Sequence, residues 1–204
     1  MPLRLLAALV SVTILAGCGT TRVTEMRGLM GYARLEGPRG VTDGASGLVL
    51  FVREGDGIRV TGRVVGLAPG QHGFHVHENR SCSPADSDGD GLEEAAGAAG
   101  GHFNPTNTEH GPQTANRSRR HAGDLGNLDA DASGVARIAF TDSLIALEGR
   151  RDIVGRALVV HADRDDLSTE PSGNAGRRIS CGEIRSGTTS DLDRLTAELA
   201  AMEG

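Results

Sequence analysis

Residues 48–64 decide the fold: Leu48-Val49-Leu50-Phe51-Val52-Arg53-Glu54-Gly55-Asp56-Gly57-Ile58-Arg59-Val60-Thr61-Gly62-Arg63-Val64. An apolar run comes first, Gly55-Asp56-Gly57 is a turn, and Ile58 to Val64 alternates apolar and polar residues at period two. Outward from this stretch the pattern repeats. Upstream, β-like runs begin at Leu29. Downstream, Ala68-Pro69-Gly70 turns into His72 to His77, Val135 to Phe140 alternates again, and Ala157 to His161 and Arg178 to Cys181 read as the last strands. Short runs separated by Gly, Pro and Asp turns at such spacings predict an all-β sandwich or barrel. Two stretches, 79–124 and 162–177, lack β pattern. Segments of that length inside a compact domain are functional loops, and five of the seven histidines sit in them or at their edges. The C-terminus differs: Leu192, Leu195, Leu199 and Met202 recur at helical spacing, with Ser190 and Asp193 as a capping box in which Asp replaces Glu. This predicts a short amphipathic helix that packs on the domain or on a partner and carries no chemistry.

The chain has 204 residues, enough for one domain with a core and too few for two. A domain of this size buries roughly 70% of its unfolded surface, so it does not depend on disulfides to fold. Four Phe, one Tyr and no Trp, with a net charge of −6, exclude a nucleic-acid partner, which would need stacking aromatics and clustered cations. With 38% hydrophobic and 24% charged residues the chain is not disordered.

Residues 1–17 read as an export leader: Arg4, an apolar run from Leu5 to Leu15, then Leu15-Ala16-Gly17-Cys18. The run is too short to span a bilayer, and small residues before the cut are the signature of secretion. The ending resembles a bacterial lipobox, in which the cysteine, here Cys18, is lipidated and becomes the first residue. Several acyl chains would hold the protein at a membrane, where one binds only marginally. Gly19 does not resemble an inner-membrane retention signal, which points to the outer membrane, facing the periplasm of a bacterial cell envelope. Removing the leader takes Arg4 with it, leaving 20 basic against 27 acidic residues, a net −7. The domain reading is a leader at 1–17, lipidated Cys18 and a tether over 18–28, a β domain at 29–185 and a helical extension at 186–204. With Cys18 set aside, Cys82 and Cys181 are the one possible pair in an oxidising compartment; two buried free thiols are the alternative. Closing their 99-residue separation contributes on the order of 4–5 kcal/mol in the chain-entropy account.

His75-Val76-His77 on a strand places two imidazoles on one face and Val76 on the other. His102 follows a Gly-Gly turn, His110 comes eight residues later, His121 and Asp124 stand three apart in a glycine turn, and His161 ends an apolar strand. Imidazole suits copper and zinc, and an Asp oxygen is an accepted zinc ligand.

Four segments carry a resemblance: Gly73-Phe74-His75-Val76-His77-Glu78, Gly101-His102-Phe103-Asn104-Pro105, His121-Ala122-Gly123-Asp124-Leu125-Gly126-Asn127, and Gly173 to Gly182. In this order, across about Leu29 to Ile184, they resemble the copper/zinc superoxide dismutases. The resemblance implies a Greek-key β-barrel or sandwich of immunoglobulin-like type, with two long functional loops and a short C-terminal helix. It implies an antioxidant enzyme that converts superoxide to O₂ and H₂O₂ by cycling copper between Cu²⁺ and Cu⁺. His75, His77, His102 and His161 match copper ligands. His102, His110, His121 and Asp124 match zinc (Zn²⁺) ligands, His102 bridging the two metals and carrying a proton. Arg178 matches the arginine that attracts and orients the anion, a local cation that a net-negative protein needs. Asp165 matches the aspartate that ties a copper histidine to a zinc histidine, with Asp163 and Asp166 as near alternatives. His72 matches a packed structural histidine.

The chain departs from animal members in three places. Residues 83–99 are longer and resemble bacterial insertions. Within them Asp86-Ser87-Asp88-Gly89-Asp90-Gly91 imitates an EF-hand loop, but Gly97 occupies the twelfth position where a bidentate Glu is needed, so the expectation is a flexible acidic loop. The stretch between His110 and His121 is slightly longer. Residues 162–177 are shorter and lack an obvious steering lysine. The resemblance admits a homodimer without assigning its interface. Two further classes share the scaffold: a copper-delivery module, which would lack copper ligands or add a Cys-rich motif, and a structural envelope lipoprotein, which would not need Arg178.

Overall fold

The computed structural model describes residues 29–87 and 89–202; the leader, Cys18 and the whole tether lie outside the described residues. Besides two short 3₁₀ turns, the described residues form eight strands and one α-helix: β1 (Met30–Leu35), β2 (Ser46–Glu54), β3 (Gly57–Val65), β4 (Gly70–His77), β5 (Asp124–Ala130), β6 (Val135–Asp142), β7 (Ala157–His161), β8 (Arg178–Gly187) and α1 (Thr189–Ala201). All pairings are antiparallel. The strands close a barrel in the order β1-β2-β3-β6-β5-β4-β7-β8. β4, β5 and β6 are successive neighbours and β7 returns beside β4, which is a Greek key.

The alternation in 48–64 sets the inside of the barrel. Val49 and Phe51 of β2 and Ile58, Val60 and Val64 of β3 meet Phe74, Val76, Leu158 and Val160 in one core. β2 reads as an unbroken apolar run because both its faces are covered. Leu48 and Leu50 point outward, where α1 lays Leu195 on them and on Met30, flanked by Leu192, Leu199 and Met202. Arg34 of β1 adds a forked pair to Glu198 of α1, its second hydrogen bond 2.8 Å long. No helix among the described residues is long and apolar enough to cross a membrane.

Three details differ from the sequence reading. The sequence reading assigns no strand to 125–130, where Asp124-Leu125-Gly126-Asn127 carries turn residues; pairing with β4 makes β5 a strand. β8 runs on to Gly187, past the expected domain boundary at residue 185. The helix cap is Thr188 and Asp191, not Ser190 and Asp193. Thr188 is extended and its hydroxyl accepts the Asp191 N–H at 3.2 Å, while the Asp191 carboxylate accepts the Thr188 N–H at 3.1 Å. β8 hands directly to the helix, so the box forms at the first residue beyond the strand.

The disulfide Cys82–Cys181 joins the long β4–β5 loop to β8 with Cα atoms 5.8 Å apart. Around it Ala96 and Ala99 pack on Ala157, Val159 and Cys181. That small cluster holds the loop against the outer face of β7 and β8.

Candidate metal centre

β4 and β7 lie side by side, with His75 opposite Val159 and His77 opposite Ala157. Their inward residues Phe74, Val76, Leu158 and Val160 belong to the core, so His75, His77 and His161 share the outward parity. The loops 79–123 and 162–177 cover that face, and all three rings are buried.

Three backbone hydrogen bonds bring the motifs together. Val76 N–H donates to Gly123 O (2.9 Å), Gly123 N–H to Phe103 O (2.9 Å) and Phe103 N–H to Val76 O (2.8 Å). One strand residue, the residue after His102 and the turn before Asp124 are thus laced to one another. Gly123 must be glycine here, since a Cβ would lie 2.2 Å from Val76 O.

Two donor sets result, each offering four ligand atoms within 4.8 Å of one another: His75, His77, His102 and His161, and His102, His110, His121 and Asp124. His102 belongs to both, its ring centroid 4.0 Å from that of His75. In the first set the Nε2 atoms of His77 and His161 are 3.3 Å apart. In the second, Asp124 Oδ1 lies 2.8 Å from His102 Nδ1, 3.2 Å from His110 Nδ1 and 3.1 Å from His121 Nδ1.

The outer ring nitrogens are engaged. His75 Nε2 and His110 Nε2 each meet one oxygen of Asp165, at 2.8 and 2.9 Å. His77 Nδ1 meets Gly100 O at 2.8 Å and His161 Nδ1 meets Gly176 O at 2.9 Å. Each acceptor holds the proton on the outer nitrogen and leaves the inner one bare. Fittingly, His75 Nδ1, His102 Nε2 and His110 Nδ1 are buried nitrogens with no hydrogen-bond partner. Bare, convergent, buried donors fit a nitrogen-only copper site and a three-imidazole, one-carboxylate zinc site.

Asp165, of the three neighbouring aspartates, is the one placed between the two sets. Asn127 clamps its backbone through hydrogen bonds of 2.8 and 2.9 Å. Gly173, at φ 66°, passes so close that a Cβ would overlap Asp165 Oδ1. Asp166 instead caps the turn at Ser168 and Thr169. The ring nitrogens of His72 lie 2.9 and 2.8 Å from the carbonyl oxygens of His161 and Ala68, outside both sets.

Burial pushes His75 and His77 far below the ordinary imidazole range, reinforced by the charges of His102 and His161. Burial also takes His161 down to about 3. At His110 burial works the same way but is outweighed by Asp124 and Asp165, which hold it up at about 10. Asp124 is likewise opposed by burial, and its three imidazole partners keep it far below the carboxylate range.

Arg178, half-buried, donates to Ala96 O (2.5 Å) and Gly100 O (2.7 Å). It lines a channel of about 420 Å³ that also reaches His77, His102 and His161. The loop 83–99 is folded onto itself: Asp86 accepts the N–H groups of Gly89 and Gly91, at 2.6 and 3.0 Å.

Sequence reasoning missed three supporting residues. Arg120 is buried and donates to Asp124 O (2.9 Å) and to buried Asp142 (2.7 Å). Glu170 accepts the His110 N–H at 2.6 Å, and Asn127 holds Asp165. Arg120 stands in the run Arg117-Ser118-Arg119-Arg120, inside the stretch 79–124 without β pattern, and nothing local separates it from its neighbours.

Residues 45–184 match the family model described as copper/zinc superoxide dismutase. The Onchocerca volvulus protein named Superoxide dismutase (Cu-Zn) is 42% identical over 159 residues, 72% of this chain and 93% of that protein. The Haemonchus contortus protein named Extracellular superoxide dismutase (Cu-Zn) is 42% identical over 145 residues, 68% of this chain and 72% of that protein. The solved structure of the clock protein EA4 superposes with a TM-score of 0.64 at 35% identity, over 78% of this chain and 94% of that one.

Proposed function

Because the chain belongs to the copper/zinc superoxide dismutase family, we propose a role for each group of its metal centre. The enzyme is an oxidoreductase that turns two superoxide anions and two protons into O₂ and H₂O₂, with copper and zinc as its metals. His75, His77, His102 and His161 hold copper, and His102, His110, His121 and Asp124 hold zinc. Copper supplies the alternating one-electron reduction and oxidation, and zinc closes the site structurally.

The remaining work falls to side chains. Arg178 presents a fixed cation in the channel, oriented by its two carbonyl acceptors, and draws the anion toward the imidazoles. His102 Nε2 is the proton carrier: its other nitrogen is held at the Asp124 side, so the proton is delivered at one defined atom. Asp165 orients His75 and His110 together and so ties the geometry of one set to the other.

The observation that carries this reading is the sharing of His102 by both donor sets. Metal analysis and superoxide consumption on protein starting after Cys18 test it. One copper and one zinc per chain with fast, cyanide-sensitive dismutation is expected. Both metals bound without activity overturns the reading.

We also propose export and anchoring. The support is the leader-like 1–17, the Leu-Ala-Gly-Cys ending and the disulfide, beside a relative named extracellular. The chain is then a lipoprotein of a bacterial envelope, held through Cys18 with residues 19–28 as tether and facing the periplasm. Replacing Cys18 with Ser releases it from membranes; continued membrane association overturns the anchor.

A further inference from the structure

His77 and His102, both of the copper set, stand directly opposite each other. They form an isolated antiparallel bridge outside the barrel ladder. Phe103 N–H donates to Val76 O at 2.8 Å on one side of it, and Glu78 N–H to Gly101 O at 3.0 Å on the other. The two ring centroids are 5.2 Å apart. Gly100-Gly101 lead into His102, and glycine adds backbone freedom at that approach. The spacing of two ligands thus rests on a single short bridge.

Arg156 grips that bridge from outside. Its guanidinium lies 3.5 Å from the centre of the Phe103 ring, and its Nη1 donates to Glu78 O at 2.6 Å. Phe103 follows His102 and Glu78 follows His77, so one side chain engages the neighbour of each ligand. A guanidinium can stack by its face and donate from its edge at once, which an ammonium cannot. The side chain is itself held: Nε donates to Asp152 O at 2.8 Å. Its backbone is tied to β8, where Ile184 N–H donates to Arg156 O at 2.8 Å. A residue that merely covered Phe103 would need no acceptor beside His77. Arg156 stands outside the channel lining. The zinc-set residues His110 and Asp124 are fixed by other groups, Glu170 and Asp165 at His110 and Arg120 at Asp124.

Resting on the copper set assigned above, we propose that Arg156 is a positioning residue for copper: it staples the residue after His77 to the residue after His102 and so fixes the spacing of these two ligands.

The test compares Arg156→Met and Arg156→Lys with wild type, each loaded with copper and zinc, and exposed Arg137→Met serves as control. Met keeps apolar cover over Phe103 and removes the charge and the donors. Lys keeps a cation and one donor without the planar fork. Groups that orient a ligand contribute 10–100-fold in metal affinity, so copper affinity of Arg156→Met falls by about that factor in competition with a copper chelator. Zinc affinity falls less. The visible absorption and the electron paramagnetic resonance spectrum of bound Cu²⁺ change. Arg156→Lys recovers part of the loss, and Arg137→Met leaves each readout at wild type. If Arg156→Met does not fold, Arg156→Lys carries the test, with a smaller loss of copper affinity in the same direction. A variant that melts lower yet keeps the wild-type copper affinity and spectrum overturns the inference, as does an equal loss of copper and zinc. A His77→Ala protein with the wild-type copper spectrum overturns the copper assignment instead.

Discussion

Asp165 holds the outer nitrogens of two imidazoles that belong to different donor sets. Replacing it with Asn keeps the volume and loses the charge. Groups that orient a ligand typically contribute 10–100-fold in metal affinity, so Asp165→Asn should weaken zinc retention by that factor, read by competition with a chromophoric chelator. A second consequence concerns the metal-free protein. His75, His77, His102 and His161 have lowered pKa values, so their contribution is full above the unfolded value near 6.5 and is lost as pH falls. His110, raised to about 10, contributes fully below 6.5 and loses that contribution as pH rises toward 10. Four groups against one make the acid side the steeper. Urea midpoints of chelator-treated protein should peak near neutrality and fall several times faster below it than above; a symmetric profile would contradict this balance. At this scale the ligand types were legible, because each sits in a motif with fixed neighbours. Arg120 and Glu170 were not. Their partners lie at distant positions, such as Asp142 for Arg120 and His110 for Glu170, and no local pattern announces them.

Among the elements, β2 and β3 could be read from alternation and apolar content, since each position answers to one covered face. β5 could not. Its Asp, Gly and Asn residues favour turns, and only the β4 partner makes it a strand. The helix was legible from Leu192, Leu195 and Leu199, yet its cap sits two residues earlier than the spacing of Ser190 and Asp193 implies. What the helix does follows from packing. Leu195 is fully buried against Met30, Leu48 and Leu50, and a buried Leu→Ala change costs about 2–5 kcal/mol. Thr188→Ala removes only a capping hydrogen bond, worth about 1 kcal/mol. Thermal melts should therefore order Leu195→Ala well below Thr188→Ala, with copper and zinc content unchanged in both. Loss of metal in either variant would mean that α1 supports the site and not just the far wall of the barrel.

For the whole molecule, the barrel gives the site its floor and the disulfide gives it one wall. Val76, Leu158 and Val160 place their neighbours on the outer face. From the strands, the His77 ring reaches Gly100 O in the loop that carries Ala96 and Gly100, the two acceptors of Arg178. That loop is held by Cys82–Cys181 and by the packing of Ala96 and Ala99 on β7 and β8. Cys82→Ser should accordingly do two separable things. Freeing a closure of 99 residues lowers stability by on the order of 4–5 kcal/mol in the chain-entropy account, which denaturant unfolding reads. Releasing the loop also loosens the carbonyls that orient Arg178, so the dismutation rate should fall at temperatures where the barrel is still folded and both metals are bound. Cys181 is only 4% exposed, so its freed thiol should react slowly with a thiol reagent, at the rate of loop opening and not of global unfolding. A variant that is less stable yet keeps its full rate until it melts would show that Arg178 is held by the loop packing alone, and that the disulfide serves the fold without serving the channel.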